Sequence, residues 1–287
     1  MAGTVLAAVP TPFAADGTLD LACARRLFGF VAGHADGLFV AGTTGEFPSL
    51  DDGERLSLVE AALEAAGPDR VIAHIGAPDS YRAARLARQA VSLGITRIAA
   101  ITPFYLAPSP AEVTDYYRRI REAAPAAGLY AYIFPERTGL AVAPPQFCEL
   151  ADAVGLAGAK FSGRAARNVA ACAAERPALR IFSGDDSDLG ATLRTGGAGI
   201  ISARCAAFPE VFAALAAALA AGDSAAAAAR QSDVAAIAAL GASIGRVKEA
   251  LRLRGFGPMA ARMPVAEPDE TTAARIAELV KVLAPAP

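Results

Sequence analysis

Apolar positions along this chain follow two alternating rhythms. Short runs nearly free of polar side chains predict strands buried on both faces, as in a parallel sheet. They fall at Thr4 to Val9, Gly37 to Ala41, Arg70 to Ile75, Thr96 to Ile101, Leu129 to Phe134, Val154 to Lys160, Leu179 to Phe182 and Gly199 to Ser202. Between them the spacing turns helical. A helix is expected from Asp20 to Ala32, and another carries Leu56, Val59 and Leu63 on one face with Ser49 as its cap. Asp79 caps a third, and Ser109-Pro110-Ala111-Glu112 opens a fourth as a capping box with proline at the first helical position. Eight such alternations are the pattern of an α/β (β/α)8 TIM barrel, for which about 250 residues are typical.

The expected organisation is a barrel over residues 1–222 and a C-terminal helical extension over 223–287. The stretch from Ala213 to Arg230 is alanine-rich, but alanine is the best helix former, and Gly222-Asp223-Ser224 divides it into two helices. An open doubly wound sheet is the competing fold. The count of eight and the lack of G-x-G-x-x-G after the first strand weigh against it.

Composition narrows the function classes. With 287 residues, 54% hydrophobic and 20% charged, the chain buries a large core. A net charge of -2 supplies no field for nucleic acid or for an anionic membrane surface. No apolar run is long enough to span a bilayer, and the start lacks a charged leader region, so a cytoplasmic protein is expected. Cys23, Cys148, Cys172 and Cys205 show no metal-binding or redox spacing and read as reduced, buried hydrophobes. His34 and His74 are too isolated for a zinc site and read as singly bonded structural residues, so no metal is expected.

One residue breaks the pattern. Of the 27 basic residues only Lys160, Lys248 and Lys281 are lysines, and Lys160 ends an apolar run. An amine deprived of water favours its neutral form, which attacks a carbonyl carbon to give a Schiff base. A strand-end lysine also simply snorkels to water, and on this segment alone both readings stand. In a barrel the strands' carboxyl ends build the site, which would gather Thr43, Thr44, Tyr105, Tyr132, Lys160 and Asp185 at one mouth. Those residues supply an amine nucleophile, a phenol able to move protons, and a loop of hydroxyls and amides suited to a carboxylate. Tyr132 could equally pack its ring in the barrel, and Gly42-Thr43-Thr44-Gly45-Glu46 could be an ordinary tight loop. A phosphate site is discounted, because Gly196-Gly197-Ala198-Gly199 precedes the eighth strand and lies at the opposite end.

Taken in order, Pro10-Thr11-Pro12, Gly42-Thr43-Thr44-Gly45-Glu46, Thr102-Pro103-Phe104-Tyr105, Tyr132 with Pro135, Arg137-Thr138-Gly139, Lys160, Ser183-Gly184-Asp185-Asp186 and Gly199-Ile200-Ile201-Ser202 resemble the dihydrodipicolinate synthase and N-acetylneuraminate lyase family of class I aldolases. The resemblance implies that Lys160 condenses with pyruvate or another 2-keto acid, that Tyr132 shuttles protons, and that Thr43 links it to Tyr105, which serves a neighbouring subunit's site. It assigns Thr44, Arg137, Ser162, Gly184 and Ile201 to substrate binding, with Arg137 on the carboxylate of an aldehyde. It further implies a homotetramer built as a dimer of dimers, with neither metal nor organic cofactor. Ile133 and Glu136 stand where synthases of the family usually carry asparagine and serine. Phe161-Ser162-Gly163 looks more like some sialic-acid lyases. The expected activity is therefore synthase-like, with an aldolase or dehydratase of a sugar-derived 2-keto acid as the alternative, and a non-catalytic keto-acid binding protein as the alternative from another class.

Overall fold

A computed structural model describes residues 3–187 and 189–284. Its strands are β1 (Thr4–Ala8), β2 (Gly37–Val40), β3 (Val71–His74), β4 (Arg97–Ile101), β5 (Gly128–Ile133), β6 (Gly158–Phe161), β7 (Arg180–Ser183) and β8 (Gly199–Ser202), in that order around a closed barrel. The helices are α1 (Leu21–Ala32), α2 (Asp52–Ala66), α3 (Ser80–Ser92), α4 (Pro110–Ala123), α5 (Pro135–Thr138), α6 (Pro144–Val154), α7 (Val169–Glu175), α8 (Leu189–Arg194), α9 (Pro209–Ala221), α10 (Ser224–Ala238), α11 (Ile244–Leu253) and α12 (Glu270–Leu283). The TIM-barrel expectation is borne out. Strands and helices alternate, the one-turn α5 follows β5, and α10 to α12 supply the C-terminal helices. No helix of the described residues is long and apolar enough to cross a membrane.

Six of these helices start where an Asp or Ser side-chain oxygen meets an otherwise unpaired backbone N–H. Asp20 accepts from the Cys23 amide at 2.8 Å, Asp79 from Arg82 at 2.8 Å, and Ser109 and Glu112 form the expected capping box. Two local expectations are corrected. Ser49 does not cap α2; its hydroxyl donates to the Glu46 carbonyl, while Asp51 forms a capping box with Glu54. The buried face of α2 is Arg55, Leu58, Val59, Ala61 and Ala62, leaving Leu56 and Leu63 half-buried. Arg55 takes an inward position because its guanidinium stacks 5.5 Å from the centre of the Phe47 ring.

The run around Lys160 is also reapportioned. Val154 ends α6, Gly155 turns the chain in the left-handed conformation (φ 70°), and the strand itself is only Gly158–Phe161. Lys160 is thus its third residue rather than its last. A continuous apolar run cannot reveal that break by hydrophobicity, because the end of a buried helix and a buried strand are equally apolar.

The chain divides into two compact units, one formed by the chain up to Arg70 together with the chain from Ser202 onward, the other by Val71–Ile201. In the first, β1 and β2 pair in parallel with Ala8 opposite Phe39, and α1 packs on α2, α9 on α10 and α11 on α12. Two ion pairs with a buried cation lie here, one with a buried acid (Glu46) and one with a half-buried acid (Glu210). Arg254 donates to the Ala207 carbonyl at 2.6 Å and to both carboxylate oxygens of Glu210, and Lys248 donates to Glu46. In the second unit, β3 to β7 pair in sequence in parallel, and β7 pairs with β8. The register sets Tyr132 opposite Lys160 and Lys160 opposite Phe182.

Candidate active site

In the unit Val71–Ile201, the register just given brings two of the chemically distinctive residues together. Lys160 is 6% exposed, and its Nζ lies 4.6 Å from the centre of the Tyr132 ring, itself 1% exposed. A buried primary amine therefore sits against a buried phenol ring, an arrangement with the groups for imine formation and proton transfer. The Tyr132 ring is fixed on two further sides. His74 meets it edge-on at 6.0 Å, while its own Nε2 accepts from the Ile101 amide, and Phe134 lies at 6.0 Å.

The turns following the strands carry the remaining candidates of this unit. After β5, the Arg137 guanidinium stacks 5.6 Å from the centre of the Phe134 ring and is exposed. Buried Thr138 holds that turn by donating to the Phe134 carbonyl and accepting from Thr102. Ser162, 5% exposed, follows β6 and donates its amide to the Ile133 carbonyl at 2.9 Å, while Gly184 after β7 donates to Phe161 at 2.6 Å. Glu136 accepts from the Arg164 amide at 2.8 Å, which holds its carboxyl below the usual carboxylate range. Ile201 is buried in β8. Asp185 is exposed, its carboxylate accepting from the amide and hydroxyl of Ser187, so it shapes its own turn. Tyr105 stands apart: it is 94% exposed with a left-handed backbone (φ 82°).

The hydroxyl loop belongs to the other unit. It runs from Ala41 to Glu46, two non-glycine residues in the left-handed region (φ 53° and 54°), each costing about 1–3 kcal/mol and kept only where the surroundings over-determine it. Between them, a Cβ on Gly42 would meet the Phe39 ring at 2.5 Å, and one on Gly45 would crowd Thr11 Oγ1 at 3.3 Å. Thr11 donates to the Gly45 carbonyl at 2.7 Å, and Glu46 donates its amide to the Thr43 carbonyl at 3.0 Å. Thr44 is 9% exposed and Thr43 half-buried.

Reading by sequence overlooked the partner of Glu46. Lys248 figured only as one of three lysines, although its place on the apolar face of α11 was a signal that it needed a buried acid. All four cysteines are free and buried, and the described residues contain no cluster of ligands able to hold a metal ion.

The fold and the chain's relatives define a lyase of the class I aldolase type. More narrowly, the chain belongs to the Dihydrodipicolinate synthetase family, whose sequence model matches residues 1–283. It is 35% identical over 206 residues to a 4-hydroxy-tetrahydrodipicolinate synthase of Synechococcus sp. (strain WH7803), covering 70% of this chain and 67% of the relative. It is 34% identical over 266 residues to an uncharacterised DapA-like lyase of Halobacterium salinarum, covering 91% and 87%. Among solved structures, YagE, a prophage protein of the dihydrodipicolinic acid synthase family from E. coli K12 in complex with pyruvate, superposes with a TM-score of 0.87 at 27% identity, covering 98% of each chain.

Proposed function

We propose that the protein joins pyruvate, or a closely related 2-keto acid, to an aldehyde through an imine on Lys160, as a 4-hydroxy-tetrahydrodipicolinate synthase-like enzyme. The observation that carries this reading is the buried Lys160 amine against the Tyr132 ring. In the first step the amine attacks the keto carbon, a C–N bond forms, and the keto oxygen leaves as water with protons moved by Tyr132. The imine then draws electrons from the neighbouring methyl carbon. Loss of one of its protons gives an enamine, which forms the C–C bond to the aldehyde, and water releases the product and restores the amine. Thr43 and Thr44 hold the 2-keto acid's carboxylate, with Ser162, Gly184 and Ile201 framing the pyruvyl unit.

Arg137 supports an aldehyde that itself bears a carboxylate, because its exposed guanidinium is a bidentate donor. A second reading, a sugar-derived 2-keto acid as substrate, draws on Glu136. Its carboxylate clamps the turn after β6 and sets a negative charge next to Arg137. Exposed Tyr105 and Leu106, at 94% and 76%, support assembly through that edge, with Tyr105 completing a partner's proton relay in a homotetramer. Pyruvate consumption with a panel of aldehydes tests the substrate reading. Preference for a carboxylate-bearing aldehyde, lost in Arg137→Ala, is expected; turnover only with neutral polyhydroxylated aldehydes would establish the second reading.

A further inference from the structure

The best-anchored group in the hydroxyl loop makes its contacts far along the chain. Glu46 is fully buried, and the partners on its carboxylate come from residues 248 to 263. One oxygen accepts from Lys248 Nζ, the other from the Arg262 and Met263 amides at 2.9 and 2.8 Å. Lys248 also donates to the Ala260 carbonyl at 2.6 Å and lies 4.7 Å from the centre of the Phe13 ring. Arg262 then fastens this segment to Glu54 of α2 at 2.6 and 2.7 Å, to the Gly17 carbonyl at 2.6 Å and to the Ser49 carbonyl at 3.1 Å.

We propose that Lys248, acting through Glu46, is a positioning residue for the 2-keto acid: the segment from Lys248 to Met263 sets the shape of the Thr43–Thr44 loop and so the grip on the substrate's carboxylate. This rests on the reading that the loop holds that carboxylate. A buried ion pair is a weak source of stability, since desolvation offsets its attraction, and an apolar contact would fasten α11 equally well. What a carboxylate with three directed donors adds is a single allowed position. That position is transmitted: the Glu46 backbone, held left-handed, bonds the Thr43 carbonyl within the same turn. Without the anchor, the strained backbone at Glu46 relaxes toward ordinary dihedrals and takes the hydroxyls with it.

The test is the rate of borohydride inactivation of the full chain against concentration of pyruvate and, separately, of acetone, a ketone with no carboxylate to grip. For Lys248→Met, half-saturating pyruvate is expected to rise about tenfold or more, since a displacement of order 1 Å costs up to ~10²-fold, while the acetone rate is unchanged. Arg254→Met, which removes the buried cation of the Arg254–Glu210 pair in the same unit, is the control for losing a buried charge away from the loop and should keep the wild-type pyruvate response. Because Lys248→Met strands a buried carboxylate, Glu46→Gln/Lys248→Met, which removes both charges, is measured alongside with the same shift expected. A wild-type pyruvate response in either folded variant, equal losses with pyruvate and acetone, or the same shift in Arg254→Met would overturn the proposal alone. A wild-type protein that reacts no better with pyruvate than with acetone would overturn the functional reading and this proposal with it.

Discussion

Replacing Gly184 by alanine should damage the end of the strand that carries Lys160, and the structure says by how much. The new Cβ would land on the Ser162 hydroxyl oxygen, 2.9 Å from Ser162 Cβ and 3.1 Å from the Phe161 carbonyl oxygen. A hydroxyl can rotate aside. Ser162 Cβ has no such freedom, because the Ser162 amide is bonded to Ile133 and the Gly184 amide to Phe161 at 2.6 Å. The clash is therefore relieved by backbone movement one and two residues beyond Lys160, at an overpacking cost of about 1–3 kcal/mol. Turnover should fall by up to ~10²-fold, the penalty for misplacing a reacting group by about 1 Å. Adding Ser162→Gly removes the two nearest atoms from the clash and leaves the 3.1 Å approach to the Phe161 carbonyl oxygen, so the double variant should regain most of the stability. Urea unfolding of the wild type, both single variants and the double should give a coupling energy within the roughly 0.5–3 kcal/mol range of contacting residues. Additive single effects would refute the packing argument.

Three further outcomes follow from particular residues. Tyr105→Phe should cost ~10²- to 10⁴-fold in turnover if the phenol moves a proton, and mixing Tyr105→Phe with Lys160→Ala chains should restore activity; no recovery would mean that the two residues serve one site within one chain. Burial, with a smaller contribution from Cys148, pushes the Cys172 thiol up to about 12, so at pH 8 only about 10⁻⁴ of it is thiolate and iodoacetamide should label it only after unfolding. The Arg262 guanidinium holds the Glu54 carboxyl below its ordinary value. A depressed carboxyl contributes its stability above the unfolded pKa, about 4.3, and loses it as pH falls through the folded value, so Glu54→Gln should flatten the acid limb of the stability curve measured by urea unfolding.

How much of this was legible beforehand depended on the range of the interaction. The barrel was readable because strand and helix periodicities are local and repeat eight times, and Asp79 and Ser109 announced their helices because a cap acts within three residues. The exchange of Ser49 for Asp51 at α2 was a choice between two oxygen-bearing residues in one turn, decided by Glu54 closing the capping box. Lys160 and Tyr132 could be singled out as unusual, yet their opposition depends on the β5–β6 register, which hydrophobicity alone does not fix. Glu46 and Lys248 lie 202 residues apart, and no local rule joins an acid in a loop to a base on a distant helix.

The central claim is tested most directly by incubating the protein with pyruvate, reducing with borohydride, and mapping the adduct by peptide mass spectrometry. The account predicts one reduced pyruvyl group on Lys160, and none in Lys160→Arg, whose guanidinium keeps the charge but forms no imine. An adduct on Lys248 or Lys281 instead, or none with pyruvate or any longer 2-keto acid, would contradict it.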